Sequence, residues 1–165
     1  MKKKEKATEQ AGAQERGSAK MVDVGDKPVT KRTATAEAVV RMSAETLKLI
    51  EDGLIPKGNV FDTARVAGIM AAKRAAELLP MCHPIGLDDV GVDITVEGDD
   101  CLRIRARAKA EAKTGVEMEA LVAASVAALT VYDMCKGVDR GIRVTDIRVI
   151  QKSGGLSGDY VAEDD

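Results

Sequence analysis

The fold turns on residues 90–108, VGVDITVEGDDCLRIRARA. Val90, Val92, Ile94 and Val96 alternate with Gly91, Asp93 and Thr95. A period of two places those apolar side chains on one face of an extended strand. Glu97-Gly98-Asp99-Asp100 carries turn chemistry. Beyond it Leu102, Ile104, Ala106 and Ala108 alternate again, now against Arg103, Arg105 and Arg107. The two runs predict an antiparallel hairpin with one face packed and the other, cationic face solvated. A hairpin with one apolar face needs another layer to cover it.

The flanking sequence supplies that layer. On the C-terminal side, Thr114-Gly-Val-Glu117 matches a capping box, so a helix is expected from there to about Lys136, with Gly137 as its stop. Residues 142–150, IRVTDIRVI, read as a last strand whose alternation breaks at Asp146-Ile147. On the N-terminal side, residues 34–42, ATAEAVVRM, read as a first strand. Ser43 is a natural N-cap for a short helix to about Asp52. Gly53 to Gly58 forms a loop, and Asn59 caps a further helix over roughly 60–79. That helix places Phe61, Ala64, Ile69, Ala72, Ala76 and Leu79 near one face and stops at Pro80. The order β-α-α-β-β-α-β predicts an α+β, ferredoxin-like antiparallel sheet with helices packed on one face.

Composition excludes several functions. The chain has 165 residues and a net charge of −2, so it is not a basic nucleic-acid binder. Aromatic residues make up 2%, too few for a base-stacking platform. Residues 1–20 hold six basic and three acidic groups and almost no bulky apolar side chain; they are expected to be a disordered tail. Residues 159–165 carry four acidic groups and are expected to be a flexible end. Residues 21–158 then form a single domain of nearly balanced charge. No run reaches the ~20 apolar residues of a membrane span. The three cysteines include no C-x-x-C pair and suit reduced thiols of a cytoplasmic protein. A lone histidine with one neighbouring thiol does not make a zinc site.

Four stretches are candidates for chemistry. Pro80-Met81-Cys82-His83-Pro84 presents the only histidine on a loop stiffened by two prolines, although a helix-capping or packed histidine fits the pattern equally. Lys113 to Glu119 sets Glu117 and Glu119 in the first turn of a helix, where capping and the helix dipole alone account for acidic residues. Asp133 and Lys136, three apart at the other end, can pair and exchange a proton, or form a surface ion pair of little consequence. Lys152-Ser-Gly-Gly-Leu-Ser-Gly158 can turn N–H groups toward an anion, though a flexible linker has the same composition. Glu119 and Asp133 are 14 residues apart, within roughly 40° of one helix face but about 21 Å apart along the axis. A site using both needs two antiparallel helices from two subunits.

Six motifs occur together in register: Lys57-Gly-x-Val-Phe-x-Thr-Ala-Arg65, Cys82-His83-Pro84, Lys113-Thr-Gly-Val-Glu-Met-Glu-Ala120, Ala-Ala-Ser-Val-Ala-Ala-Leu-Thr130, Tyr132-Asp-Met-Cys-Lys136 and Lys152-Ser-Gly-Gly-x-Ser-Gly-Asp159. With them the chain resembles the molybdenum-cofactor biosynthesis protein C family, cyclic pyranopterin monophosphate synthase, from about Met21 to Asp159. Met81 departs from the Leu common before Cys-His-Pro in the family. The resemblance implies a lyase that rearranges 3′,8-cyclo-7,8-dihydro-GTP to cyclic pyranopterin monophosphate and releases pyrophosphate. It implies a homohexamer, a trimer of dimers with sites at the dimer interface.

As roles, the resemblance implies Lys136 as general acid/base with Asp133 beside it. Lys57 and Lys152 meet the phosphates, with Arg32 and Arg41 as further phosphate candidates. Met81, Cys82, His83, Glu117, Met118 and Glu119 contact the purine-derived part. No tightly bound cofactor and no dedicated metal site are expected; pyrophosphate carries Mg²⁺ in solution, so a metal can travel with the substrate. The alternative is a non-catalytic oligomer that binds a GTP-derived nucleotide.

Overall fold

A computed structural model describes residues 19–156 and 158–163. Residues 1–18, Ser157 and residues 164–165 lie outside the description, and with them most of the expected N-terminal tail. The elements run β1 (Thr30–Arg41), α1 (Ala44–Glu51), α2 (Val60–Ala72), α3 (Ala75–Leu78), β2 (Asp89–Glu97), β3 (Cys101–Ala112), α4 (Glu117–Cys135), β4 (Arg143–Ser153) and β5 (Tyr160–Val161). All neighbouring strands are antiparallel, in the order β2-β3-β1-β4-β5. The fold is α+β, and its first four strands have the ferredoxin-like order.

The hairpin of β2 and β3 pairs Val90 with Ala108 and Val96 with Leu102 in unbroken register. Leu102, Ile104, Ala106 and Ala108 are fully buried beneath the helices. The core is built from small residues: Ala120, Ala123, Ala124, Ala127 and Ala128 give α4 a face with no exposure. Gly68 of α2 lies so near α4 that a Cβ there would stand 2.8 Å from the Ala123 carbonyl oxygen. α4 is long and apolar enough by composition to cross a membrane, but its alanine face is the centre of this core.

Two expected caps are present. The Ser43 hydroxyl accepts from the Thr46 N–H at 3.2 Å, and Asn59 accepts from the Asp62 N–H at 3.0 Å. The break at Asp146-Ile147 is a β-bulge: Asp146 has φ 53°, and the register of β4 on β1 slips between Glu37 and Val39.

Other expectations change. The helix over 60–79 is two helices, because Arg74, at φ −119° and ψ 15°, leaves the helical range; no proline or glycine marks the place. The capping box at Thr114 does not form. Val116 holds the N-cap position without a side-chain hydrogen bond, and Glu117 is drawn to a lysine instead. Within the acidic end, Tyr160 and Val161 pair with Lys152 and Gln151 as a fifth strand. The arginine face of the hairpin is not simply solvated. Glu37 of β1 is 2% exposed there and takes Arg103 at 2.9 Å and Arg148 at 3.0 Å, with Arg105 at 3.7 Å.

Candidate active site

The candidate residues gather in two clusters, one at each end of α4. The C-terminal cluster begins with Lys57. Ile55, 3% exposed, anchors the loop after α1, and Pro56 stiffens it just before the lysine. Lys57 Nζ donates to Asp133 Oδ2 at 2.6 Å and to the Asp133 carbonyl at 3.0 Å. Lys136 Nζ donates to the other carboxylate oxygen, Oδ1, at 2.7 Å. One carboxylate is thus held between two ammonium groups at a helix C-terminus, where cations are favoured. The hydrogen bonds from Lys136 and Lys57 pull the Asp133 carboxyl down to about 2. The same bond from Asp133 raises the Lys136 ammonium above the usual lysine value. At neutral pH Asp133 is an anion and Lys136 a cation. The Asp133 carboxylate thus fixes the position of both ammonium groups and holds the Lys136 proton more tightly than in a free lysine.

The N-terminal cluster is assembled from four segments. The loop after α3 carries Cys82, whose N–H donates to the Leu79 carbonyl at 3.0 Å. Its Sγ lies 3.8 Å from Glu119 Oε1. Glu119 is 2% exposed, and its Oε2 has no hydrogen-bond partner among the described residues. Burial raises the Glu119 carboxyl above the ordinary range, and Glu117 adds to the effect. Burial and the Glu119 charge likewise raise the Cys82 thiol. Both shifts disfavour the charged form of the group concerned. Glu117 Oε1 accepts from Lys152 Nζ of β4 at 3.0 Å. His83 Nε2 meets the Val22 carbonyl at 2.8 Å, so the segment before β1 closes over the loop. Met81 and Met118 are exposed beside these groups in the chain.

The structure does not bring the two clusters together within one chain, because α4 holds them apart. Two parts of the site were not legible beforehand. Lys57 pairs with Asp133 across 76 residues of sequence, and only the proline and glycine flanking Lys57 hinted at a presented side chain. The segment from Val22 to Lys27 also belongs here, since Lys113 Nζ donates to the Gly25 carbonyl at 2.6 Å. The glycine loop differs from expectation: the Gly154 N–H is already taken by Asp159 Oδ1 at 3.2 Å. A cavity of about 430 Å³ adjoins His83, Pro84, Lys113 and Thr114. A wider hollow, about 730 Å³, lies on the open sheet face around Glu37 and is bordered by Arg41 alone among the candidates. Cys101 and Cys135 are buried free thiols, and burial pushes Cys135 up to about 11.

Fold and site together define an α+β domain with an ammonium–carboxylate cluster at one end of its core helix and a buried carboxyl–thiol cluster at the other. The sequence pattern of the MoaC family matches residues 21–155. That is most of the chain, and the protein belongs to the MoaC family. The family's task is molybdenum cofactor biosynthesis, at the formation of cyclic pyranopterin monophosphate.

Proposed function

We propose that this chain is a pyrophosphate-releasing lyase that converts 3′,8-cyclo-7,8-dihydro-GTP to cyclic pyranopterin monophosphate. The observation that carries the reading is the Asp133 carboxylate held between Lys57 and Lys136. Closing a cyclic phosphate requires a substrate hydroxyl oxygen to bond to the α-phosphorus while the bond to the β-phosphate oxygen breaks. The hydroxyl proton passes to solvent water, and pyrophosphate leaves with the electron pair. Lys136 supplies a proton to the rearranging ring system, and Asp133 holds that ammonium in place. Lys57 and Lys152 stabilise negative charge on the phosphates. Met81, Cys82, His83 and Met118 contact the purine-derived part, while Glu117 and Glu119 hydrogen-bond its polar edge. No tightly bound cofactor is needed for these steps, and Mg²⁺ accompanies the phosphates. Such chemistry on a GTP derivative belongs in the cytoplasm, with neither nucleic acid nor membrane as partner.

The working unit is a homo-oligomer. Met118, Leu129 and Tyr132 are exposed along α4, and Val66 and Met70 along the neighbouring α2, an apolar surface suited to a second copy. Two α4 helices packed antiparallel would set the Lys57–Asp133–Lys136 end of one against the Cys82–Glu119 end of the other. Repeated threefold, that dimer gives a hexamer. Incubation with the cyclic GTP intermediate, with pyrophosphate and product both assayed, tests the reading. Wild-type protein releases one pyrophosphate per product, and Lys136→Ala and Asp133→Asn lose most turnover while staying folded. Tight binding of the intermediate with no pyrophosphate released would instead make the chain a binding protein.

A further inference from the structure

The turn that follows α4 is tied to a distant part of the chain. The Lys136 N–H donates to the Tyr132 carbonyl at 2.8 Å, and the Val138 and Asp139 N–H groups both donate to the Cys135 carbonyl, at 2.9 and 3.0 Å. These bonds use up carbonyls left open at the helix end and fix Asp139 three residues beyond Lys136. The Asp139 carboxylate then works in two directions. Oδ1 accepts from the Gly141 N–H at 2.7 Å, within the turn. Oδ2 accepts from the Ser43 N–H at 2.9 Å and from the Thr46 hydroxyl at 3.2 Å, across 96 and 93 residues of sequence. The Ser43 and Gly141 N–H groups hold this carboxyl below its ordinary range, so at neutral pH it is an anion.

Ser43 is the N-cap of α1, and its N–H has a local solution: a glutamate at the third helical position can reach back to it. Threonine stands at that position, and Asp139 takes the N–H instead. The long-range cap does what a local one does not, because it joins α1 to the turn after Lys136. The backbone from Ser43 to Gly58 is hydrogen-bonded throughout. α1 spans about 12 Å. Beyond it Asp52, Gly53 and Leu54 donate to the Lys48, Ile50 and Leu49 carbonyls at 2.9, 3.1 and 2.8 Å, and Gly58 donates to the Ile55 carbonyl at 2.9 Å. That last bond closes the turn that carries Lys57. One stiff unit therefore grips the end of α4 twice, through Ser43 on Asp139 and through Lys57 on Asp133. Leu47 and Ile50 press α1 onto the core, but apolar contact is non-directional and does not set where the unit lies.

We propose that Asp139 is a positioning residue for the Lys57–Asp133–Lys136 cluster: by tying the start of α1 to the turn after Lys136, it sets the place of Lys57 against Asp133. Its effect on turnover rests on the proposed reaction; the tie itself rests on the hydrogen bonds. Without it α1 keeps its apolar contacts but can slide, and the Lys57 ammonium moves with the turn that carries it.

Two readouts on the intact protein test it. The first is limited acetylation of lysines, mapped by mass spectrometry. An ammonium held by a carboxylate keeps its proton, so Asp139→Ala should raise acetylation of Lys57 about threefold or more relative to exposed Lys73 at the end of α2. Ser43→Pro, which suits the Ser43 φ of −71° and deletes the N–H that Asp139 takes, should do the same and serves if Asp139→Ala does not fold. Ser43→Ala loses the cap but keeps that N–H, and should leave Lys57 unchanged. The second readout is a double-mutant cycle on kcat/KM for the cyclic GTP intermediate. Asp139→Ala should cost about tenfold or more in the wild-type background, as a misplaced group does. In the Lys57→Ala background it should cost less than about twofold, because the group it places is gone. Equal losses in both backgrounds overturn the proposal, since a merely structural role is indifferent to Lys57. Unchanged Lys57 acetylation in both Asp139→Ala and Ser43→Pro also overturns it. Raised acetylation in those variants, beside a wild-type protein that releases no pyrophosphate, removes the proposed reaction and leaves the tie standing.

Discussion

Asp133 raises the Lys136 ammonium without being buried. Its two oxygens are shared between Lys57 and Lys136, so removing the charge releases both lysines at once. Asp133→Asn should lower the Lys136 pKa toward the ordinary lysine value, because its raised value comes from that hydrogen bond and charge. If Lys136 gives a proton in the reaction, the alkaline limb of the pH–rate profile moves to lower pH in this variant. An unmoved limb assigns the proton to another group. Glu37 is the opposite case, an acid buried on the open sheet face. Burial pushes its carboxyl up, but hydrogen bonds from Arg148 and Arg103 outweigh that and leave it below the ordinary range. A lowered carboxylate stabilises the fold above its unfolded value and loses that contribution as pH falls through the folded one. Glu37→Ala should cost about 3 kcal/mol at neutral pH, because it removes the buried carboxylate that Arg103 and Arg148 share. Urea unfolding across pH should show the gap between variant and wild type narrowing in acid.

At the scale of elements, closeness between α2 and α4 depends on one missing side chain. Gly68→Val would press on the Ala123 carbonyl and the Ala127 methyl, both fixed in α4. The expected loss is about 1–3 kcal/mol, read as a lower denaturation midpoint. An increase in stability would mean that α2 shifts freely. The same elements mark how far the sequence could be read. The β2–β3 hairpin was legible because alternation is set by a period that packing does not alter. Ser43 and Asn59 were legible because a cap acts within three residues. Thr114 was misleading for the same reason: Lys152, 35 residues beyond Glu117, competes for the carboxylate and wins. The pause at Arg74 and the strand at Tyr160–Val161 depend on tertiary contacts that no local pattern carries. Likewise, the clusters could be named as residues, but the Lys57–Asp133 contact belongs to the folded chain alone.

At the scale of the whole molecule, the length of α4 makes a prediction that chemistry alone does not. If antiparallel copies share sites, an Asp133→Asn chain and a Glu119→Ala chain each lack a different half. After subunit exchange, half the dimers are mixed, and each mixed dimer has one site with neither substitution. Activity should then recover to roughly a quarter of wild type from two inactive preparations. No recovery, with exchange verified by mass, would place each site within one chain. The segment before β1 has a different consequence. It holds His83 through the Val22 carbonyl and Lys113 through the Gly25 carbonyl, and both acceptors are main chain. Such contacts are blind to the identity of the side chains that make them. Residues 22 and 25 can therefore drift in sequence while their path through space stays fixed, so a change in the length of this segment does far more harm than a change in its letters.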